Sequence, residues 1–400
     1  MCEQFRADAE ASVLQRPEVI DFDHLDHEST TSPWTRWTDL RRRDDIPYTE
    51  AHGGFRVLSR YEDVCAVARD ALTFASGTPQ GNTIPALPTK ALPPLHSDPP
   101  DHRVYRDIVN PYFSPSKVRA YEPWIRTLAD GHLSRVLAGD AWNVPLDLGV
   151  PLTRDVTFRL MGIVDAPSEV NMWADLMVLE GSADASDALS AFLGDQLRRR
   201  REAPSDDLIS GLSTARFEGR LLSDDEIVRL CLILLLAGLE TTASTIAGSV
   251  WYLLEHPGVA AELAVASADT WRLAMDEFVR WAGPVQALAR KAVSPGEIRG
   301  YSIGQDECTM MLLQSANRDE SEFERPDEVI LDRHPNRHVA FGMGPHRCLG
   351  SHLAKLELQV VLERLVVDLD SWRLESPDAL KWVAGSSIRS IRSLPVRRAN

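Results

Sequence analysis

The ten residues Phe341-Gly342-Met343-Gly344-Pro345-His346-Arg347-Cys348-Leu349-Gly350 decide how the rest of this 400-residue chain is read. Three glycines bracket one cysteine, and glycine admits positive φ and close backbone approach, so the segment can wrap tightly. Immediately after it, Leu349, Leu353, Leu356, Leu358, Val360 and Val361 recur at helical spacing, with Lys355 and Glu357 between them. Cys348 therefore sits in a turn that feeds a helix N-terminus, where amide N–H groups and the helix dipole favour thiolate over thiol. A thiolate held in this way is a metal ligand or a nucleophile. His346 and His352 lie nearby, but no second Cys/His pair completes a four-ligand zinc site. A lone buried cysteine in a glycine-rich turn is the plain alternative.

Upstream, Ser223-Asp224-Asp225-Glu226 has the form of a capping box, and no proline follows until Pro257. A helix to about Glu255 would run roughly 45–50 Å at 1.5 Å per residue. Leu230 to Leu236 is apolar on every side, which predicts passage through the interior. Ala237-Gly238-Leu239-Glu240-Thr241-Thr242 then places small residues, a carboxylate and two hydroxyls in that buried zone. Threonine can bond back to the carbonyl four residues earlier and bend the helix, Thr241 to Ala237 and Thr242 to Gly238. A core helix with satisfied threonines is the plain reading of this segment.

Other stretches frame these two. Helices are predicted over Trp34–Arg43, Tyr61–Ala71 and Trp271–Ala282, and strands over Gly53–Leu58, Ile298–Tyr301 and Cys308–Leu313. Phe74 to Pro94 reads as a long loop and Gly385 to Val396 as a hairpin. After Pro99-Pro100 a helix begins in which His102 and Arg106 share one face and can clamp a carboxylate. Glu277 and Arg280 form another one-turn pair.

Composition bounds the function classes. Hydrophobic residues are 44% and charged residues 26%, ordinary for a globular protein with a sizeable core. A net charge of −16 excludes a nucleic-acid binder that works by neutralising phosphates. Five scattered cysteines form no disulfide framework and suit a reducing cytoplasm. The N-terminus, Met1 to Glu28, shows no apolar run of signal-peptide or anchor length, and the longest apolar run, Leu230 to Leu239, is about half of what a bilayer span needs.

Taken together and in this order, these stretches resemble the cytochrome P-450 family. Phe341, Gly342, Gly344, His346, Cys348 and Gly350 match its F-G-x-G-x-H-x-C-x-G loop, and residues 237–242 match A-G-x-[DE]-T-T. His102 and Arg106 match H-x-x-x-R, Glu277 and Arg280 match E-x-x-R, and Asn317-Arg318-Asp319 matches N-R-D. The resemblance runs from about Gly54 to Val396. It implies a mainly α fold with small β-sheets, one domain over residues 1–400, with 1–43 an extended lead-in and first helix. It also implies a long central helix over haem b.

The resemblance further implies roles. Cys348 would ligate iron, while Phe341, Gly342, Gly350, Ala237 and Gly238 border the haem, and His102, Arg106, Arg290 and His346 hold its propionates. Glu240 and Thr241 would relay protons to O2. Glu277 and Arg280 would form a structural trio with Arg333 or Arg337, Arg333 having the better spacing. Ile84, Leu87, Val178, Val285, Gln286 and Ala287 fall where family members contact substrate.

The implied reaction is insertion of one oxygen atom into a small molecule, with a natural-product intermediate the expected substrate. Electrons would come from NAD(P)H through a separate ferredoxin and reductase, since the chain has no G-x-G-x-x-G motif and no four-cysteine cluster. Arg103, Lys117, Arg347 and Lys355 could dock an acidic ferredoxin. No membrane partner is expected, and the soluble bacterial, cytoplasmic members are the best match. Haem-thiolate coupling, isomerisation or reduction, or a haem-binding sensor, are the alternatives.

Overall fold

The computed structural model describes residues 17–78 and 82–399. The first part of the lead-in, with Cys2, lies outside the described residues. Helices dominate, with one five-stranded sheet and several smaller ones among the described residues. The expected helices are present over Trp34–Arg42, Tyr61–Arg69, Asp101–Phe113, Ala268–Ala282 and Ser351–Leu365. Side-chain caps start the Pro115–Leu137 and Ala268–Ala282 helices. Ser114 accepts from the Lys117 amide with Pro115 following it, and Ser267 accepts from the Thr270 amide.

The central helix runs from Asp224 to Glu255 and is broken at Glu240, whose φ of −105° and ψ of −33° separate Asp224–Leu239 from Thr241–Glu255. Ser223 and Glu226 form the capping box in both directions. The helix is long and apolar enough to cross a membrane, yet 72% of its most apolar window is buried. It is the axis of the largest hydrophobic cluster, where Leu230, Leu235 and Ile246 meet Leu152 and Val156 of the Val150–Met161 helix and Leu358 and Val361 of Ser351–Leu365. Gly238 permits one of these crossings: a β-carbon there would lie 2.5 Å from Thr157 Oγ1.

The main sheet has five strands in the order Tyr48–Thr49, Phe55–Leu58, Cys308–Leu312, Ala287–Ala292, Phe74–Ala75. Cys308–Leu312 pairs parallel to Phe55–Leu58 and antiparallel to Ala287–Ala292, which sets Thr309 opposite Arg290. Both faces are covered, so Phe55–Leu58 is buried at every position instead of at every second one.

Two expectations need correcting. Ile298 to Tyr301 is not one strand but the turn of a hairpin between Gly296–Ile298 and Tyr301–Ile303. Arg299 (φ 48°) and Gly300 (φ 81°) are both left-handed, which matches a tight two-residue hairpin turn. The C-terminal hairpin joins Lys381–Ala384 to Arg389–Ser393 and ends there. Pro395 has no N–H to extend that ladder, and Pro395–Arg398 pairs instead with Trp372–Leu374 and Ala141–Asn143.

Candidate active site

The cysteine loop closes on itself, the Cys348 amide donating to the Phe341 carbonyl at 2.7 Å. Gly342 and Gly344 adopt φ of 65° and 69°, and a β-carbon on Gly344 would come within 2.3 Å of the Ala68 carbonyl. Gly350 differs. It has an ordinary φ of −84° and stands at the N-cap of the Ser351–Leu365 helix.

Cys348 is exposed, yet the protein packed around it pushes its thiol up. Those facts agree if the sulfur faces a space inside the molecule. The Gly350 backbone, Arg106 and Arg347 pull the other way and do not win. The thiolate expected from the helix N-terminus thus needs a further positive charge, which a bound metal ion supplies. In the central helix Ala237 is likewise exposed, between buried Leu236 and Leu239.

Around the loop lies a set of basic groups without carboxylates to match. The rings of His102 and His346 are 4.3 Å apart. Burial, then Arg290, His102, Arg106 and His96, hold the His346 imidazole down at about 2. Its Nε2 is buried with no hydrogen-bond partner among the described residues. Arg290, also buried, donates to the neighbouring Ala289 carbonyl at 2.7 Å, and burial lowers it to about 10. Arg106 donates to the Arg347 carbonyl at 3.0 Å. The carboxylate nearest in effect is Asp98, but its oxygens accept the Ser76 and Gly77 amides at 2.8 and 2.9 Å. Buried donors in surplus over acceptors make a seat for an anion. A dianionic cofactor carrying a metal for Cys348 fits this set, as haem does.

At the break in the central helix, Thr241 Oγ1 donates to the Ala237 carbonyl at 2.8 Å, as its spacing predicts. The matching Thr242 bond is absent among the described residues; the Thr241 bond instead continues as a ladder along its own face, Thr245 Oγ1 donating to the Thr241 carbonyl and Ser249 Oγ to the Thr245 carbonyl. The Leu239 carbonyl is taken by Thr153 Oγ1 at 2.6 Å, which stabilises the break from the neighbouring helix. Glu240 accepts from Ser390 Oγ at 2.7 Å, and burial raises its carboxyl despite that bond.

Glu277 is fully buried and fully engaged. It accepts from Arg280 Nε and Nη2 at 2.8 Å each, from Arg333 Nε at 3.0 Å, from the Ile330 amide at 2.9 Å and from Asn336 at 3.0 Å. Burial pushes its carboxyl up, but the arginines outweigh this and hold it below the usual range. Arg333 occupies the third place, whereas Arg337 is an exposed residue beside Glu322.

The substrate-contact candidates divide. Leu87, Val178 and Val285 keep some exposed surface. Ile84 is buried in a cluster with Phe22 and Trp37, and Ala287 is sealed in the same cluster. Gln286 has no exposure and donates its amide to the Gly385 carbonyl at 3.3 Å. Gln286 and Ala287 therefore face protein, and the neighbouring residue with open surface is Leu288. Sequence reasoning missed His96, Asp98 and Ser390. Ser390 lies 150 positions from Glu240 and carries no local signal, whereas His96 and Asp98 lie in the segment leading into the His102 helix.

Comparison with known proteins agrees with this geometry. The cytochrome P-450 family model matches residues 179–266 and 272–375. The steroid C26-monooxygenase of Mycolicibacterium smegmatis is 31% identical across 88% of this chain and 90% of its own length. The mycinamicin IV hydroxylase/epoxidase of Micromonospora griseorubida is 33% identical across 85% and 88%. A Mycobacterium marinum cytochrome P-450 in complex with pseudoionone superposes with a TM-score of 0.86 at 27% identity, covering 94% of this chain and 99% of that one. The chain belongs to the cytochrome P-450 family and is a monooxygenase of that class.

Proposed function

We propose that this enzyme inserts one oxygen atom from O2 into a small organic molecule, a secondary-metabolite intermediate, taking electrons from NAD(P)H through a separate ferredoxin and its reductase. The observation that carries the reading is the surplus of basic groups beside Cys348. Cys348 would ligate the iron of haem b, His102, Arg106, Arg290 and His346 would take the propionates, and Phe341, Gly342, Gly350, Ala237 and Gly238 would border the ring. When bound, haem supplies the oxygen-activating chemistry, to which a thiolate ligand contributes electron density.

The chain's own residues would do the rest. Glu240, raised by burial, holds a proton on its carboxyl nearer to neutral pH than an exposed glutamate would. Ser390 orients that carboxyl, and Thr241, its own proton engaged by the Ala237 carbonyl, offers its oxygen as an acceptor. Glu277, Arg280 and Arg333 hold the scaffold together.

For the electron donor, a hollow lined by Arg119, Arg272, His352 and Lys355, with Met275 and Leu356 between them, carries more basic groups than its one acid, Glu122, although Lys355 also pairs with Asp276 at 2.9 Å. It lies against the helix that follows Cys348, a suitable place for an acidic ferredoxin. The four cysteines among the described residues are free, which suits work in the cytoplasm. The relatives named for their reactions, a mycinamicin IV hydroxylase/epoxidase and a steroid C26-monooxygenase, support a small organic substrate.

The test is turnover with NADH, a surrogate ferredoxin and its reductase under isotopically labelled dioxygen. Substrates would first be found by the change they cause in the ferric spin state. One labelled oxygen atom in the product supports the proposal; a product without label contradicts it.

A further inference from the structure

The lead-in and the turn at His52 bring three ligand-type side chains together. Asp23 Oδ1 lies 2.9 Å from His52 Nε2 and 3.7 Å from His24 Nδ1. All three ligand atoms fall within 4.8 Å of one another. Tetrahedral zinc with bonds of 2.0–2.1 Å places its ligand atoms about 3.3 Å apart and two imidazole centroids about 5 Å apart. The observed centroid separation is 5.5 Å, with the rings edge-on at 74°.

The arrangement is held by the fold. Thr49 Oγ1 donates to the Phe22 carbonyl at 2.7 Å, fixing Asp23 beside the turn that carries His52. The Leu25 amide orients the Asp23 carboxylate at 2.8 Å, the kind of outer contact that positions metal ligands.

An Asp23–His52 ion pair alone leaves His24 unexplained. This side chain is only 1% exposed, and no partner among the described residues meets either ring nitrogen at full hydrogen-bond geometry; only the Ile84 and Ser386 backbone approaches the ring. A buried imidazole without partners is costly, and a cation shared with Asp23 and His52 would satisfy it.

We propose that Asp23, His24 and His52 bind one divalent cation of the zinc class, completed by water at the exposed His52 side, which pins the lead-in to the main sheet. Two imidazoles and a carboxylate suit zinc better than calcium or magnesium, which prefer oxygen ligands.

The test uses the haem-loaded full chain, stripped with chelator and titrated with zinc against a chromophoric competitor. The wild type should bind one equivalent. His52→Asn keeps a residue that tolerates the left-handed φ of 50° but removes a strong ligand, and should weaken binding by about 100-fold or more. Its haem spectrum should stay unchanged. Zinc should raise the melting temperature of the wild type and not that of His52→Asn. Absence of stoichiometric zinc binding, or equal affinity and equal thermal shift in the variant, would overturn the proposal.

Discussion

The Glu277 carboxylate and the His346 imidazole both lie among arginines, but one is surrounded by partners and the other by competitors. Glu277 has two guanidiniums, an amide N–H and an asparagine, and the outward faces of Arg280 take the Asn317, Pro326 and Glu328 carbonyls at 2.7–2.8 Å. Around His346, by contrast, Arg106, Arg290, His96 and His102 all disfavour a proton. A closed network of this kind serves the scaffold, because nothing in it is left to bind. An open one is unfavourable until an anion arrives, so its purpose lies in the ligand.

The comparison can be broken first at its closed end. Glu277→Ala leaves two buried cations facing each other and should cost about 3–5 kcal/mol of stability. Urea unfolding measures this, and a loss below 1 kcal/mol would mean the trio is not the scaffold's keystone. At the open end the sign should reverse. Arg290→Leu should weaken haem binding at least about tenfold, or 1.4 kcal/mol. The haem-free protein should unfold at the same or higher urea, because a repelling charge has gone. A variant that loses apoprotein stability while retaining haem affinity would show that Arg290 belongs with the scaffold.

Acid sharpens the same contrast. Burial and then Arg290 hold His96 down at about 4, and His346 is lower still. Unfolded histidine takes its proton near 6.5, so the unfolded state binds more protons below that pH. Stability of the haem-free protein should therefore be fully present above pH 6.5 and fall towards pH 4. The slope should approach about 1.4 kcal/mol per pH unit for each such histidine. Bound carboxylates would raise both groups, so the haem-loaded protein should show a flatter slope; identical slopes would argue against an anion seat. The smallest effect is expected at Ser390→Ala. Loss of its hydrogen bond should move the Glu240 carboxyl further up and shift one limb of the pH–rate profile upward by less than about one unit.

How much of this was legible in the sequence depended on distance along the chain. The capping box at Ser223, the Thr241 back-bond and the shared face of His102 and Arg106 are contacts within one helical turn, and their spacing alone carries them. The Cys348 loop was legible because its glycines and the following helix are contiguous. Arg333 was placed by motif spacing and not by physics, since 56 residues separate it from Glu277. Ser390, Thr153 and His96 went unseen because a partner from another element leaves no periodicity behind. Gln286 and Ala287 were assigned to the pocket from position in an extended segment. Which residues of a strand covered on both faces open onto space is decided by the elements packed against it, here the Gly385 turn and the Phe22–Trp37 cluster. The packing that pushes the Cys348 thiol up is illegible for a related reason: the helix N-terminus is local, but the packing comes from the whole fold.

The most direct test of the account is the spectrum of the reduced, carbon monoxide-bound protein, compared between wild type and Cys348→Ala, with folding of both checked by circular dichroism. The account predicts a red-shifted thiolate Soret band in the wild type and its loss in the folded variant. A folded wild type without that band, or a variant that retains it, would contradict the account.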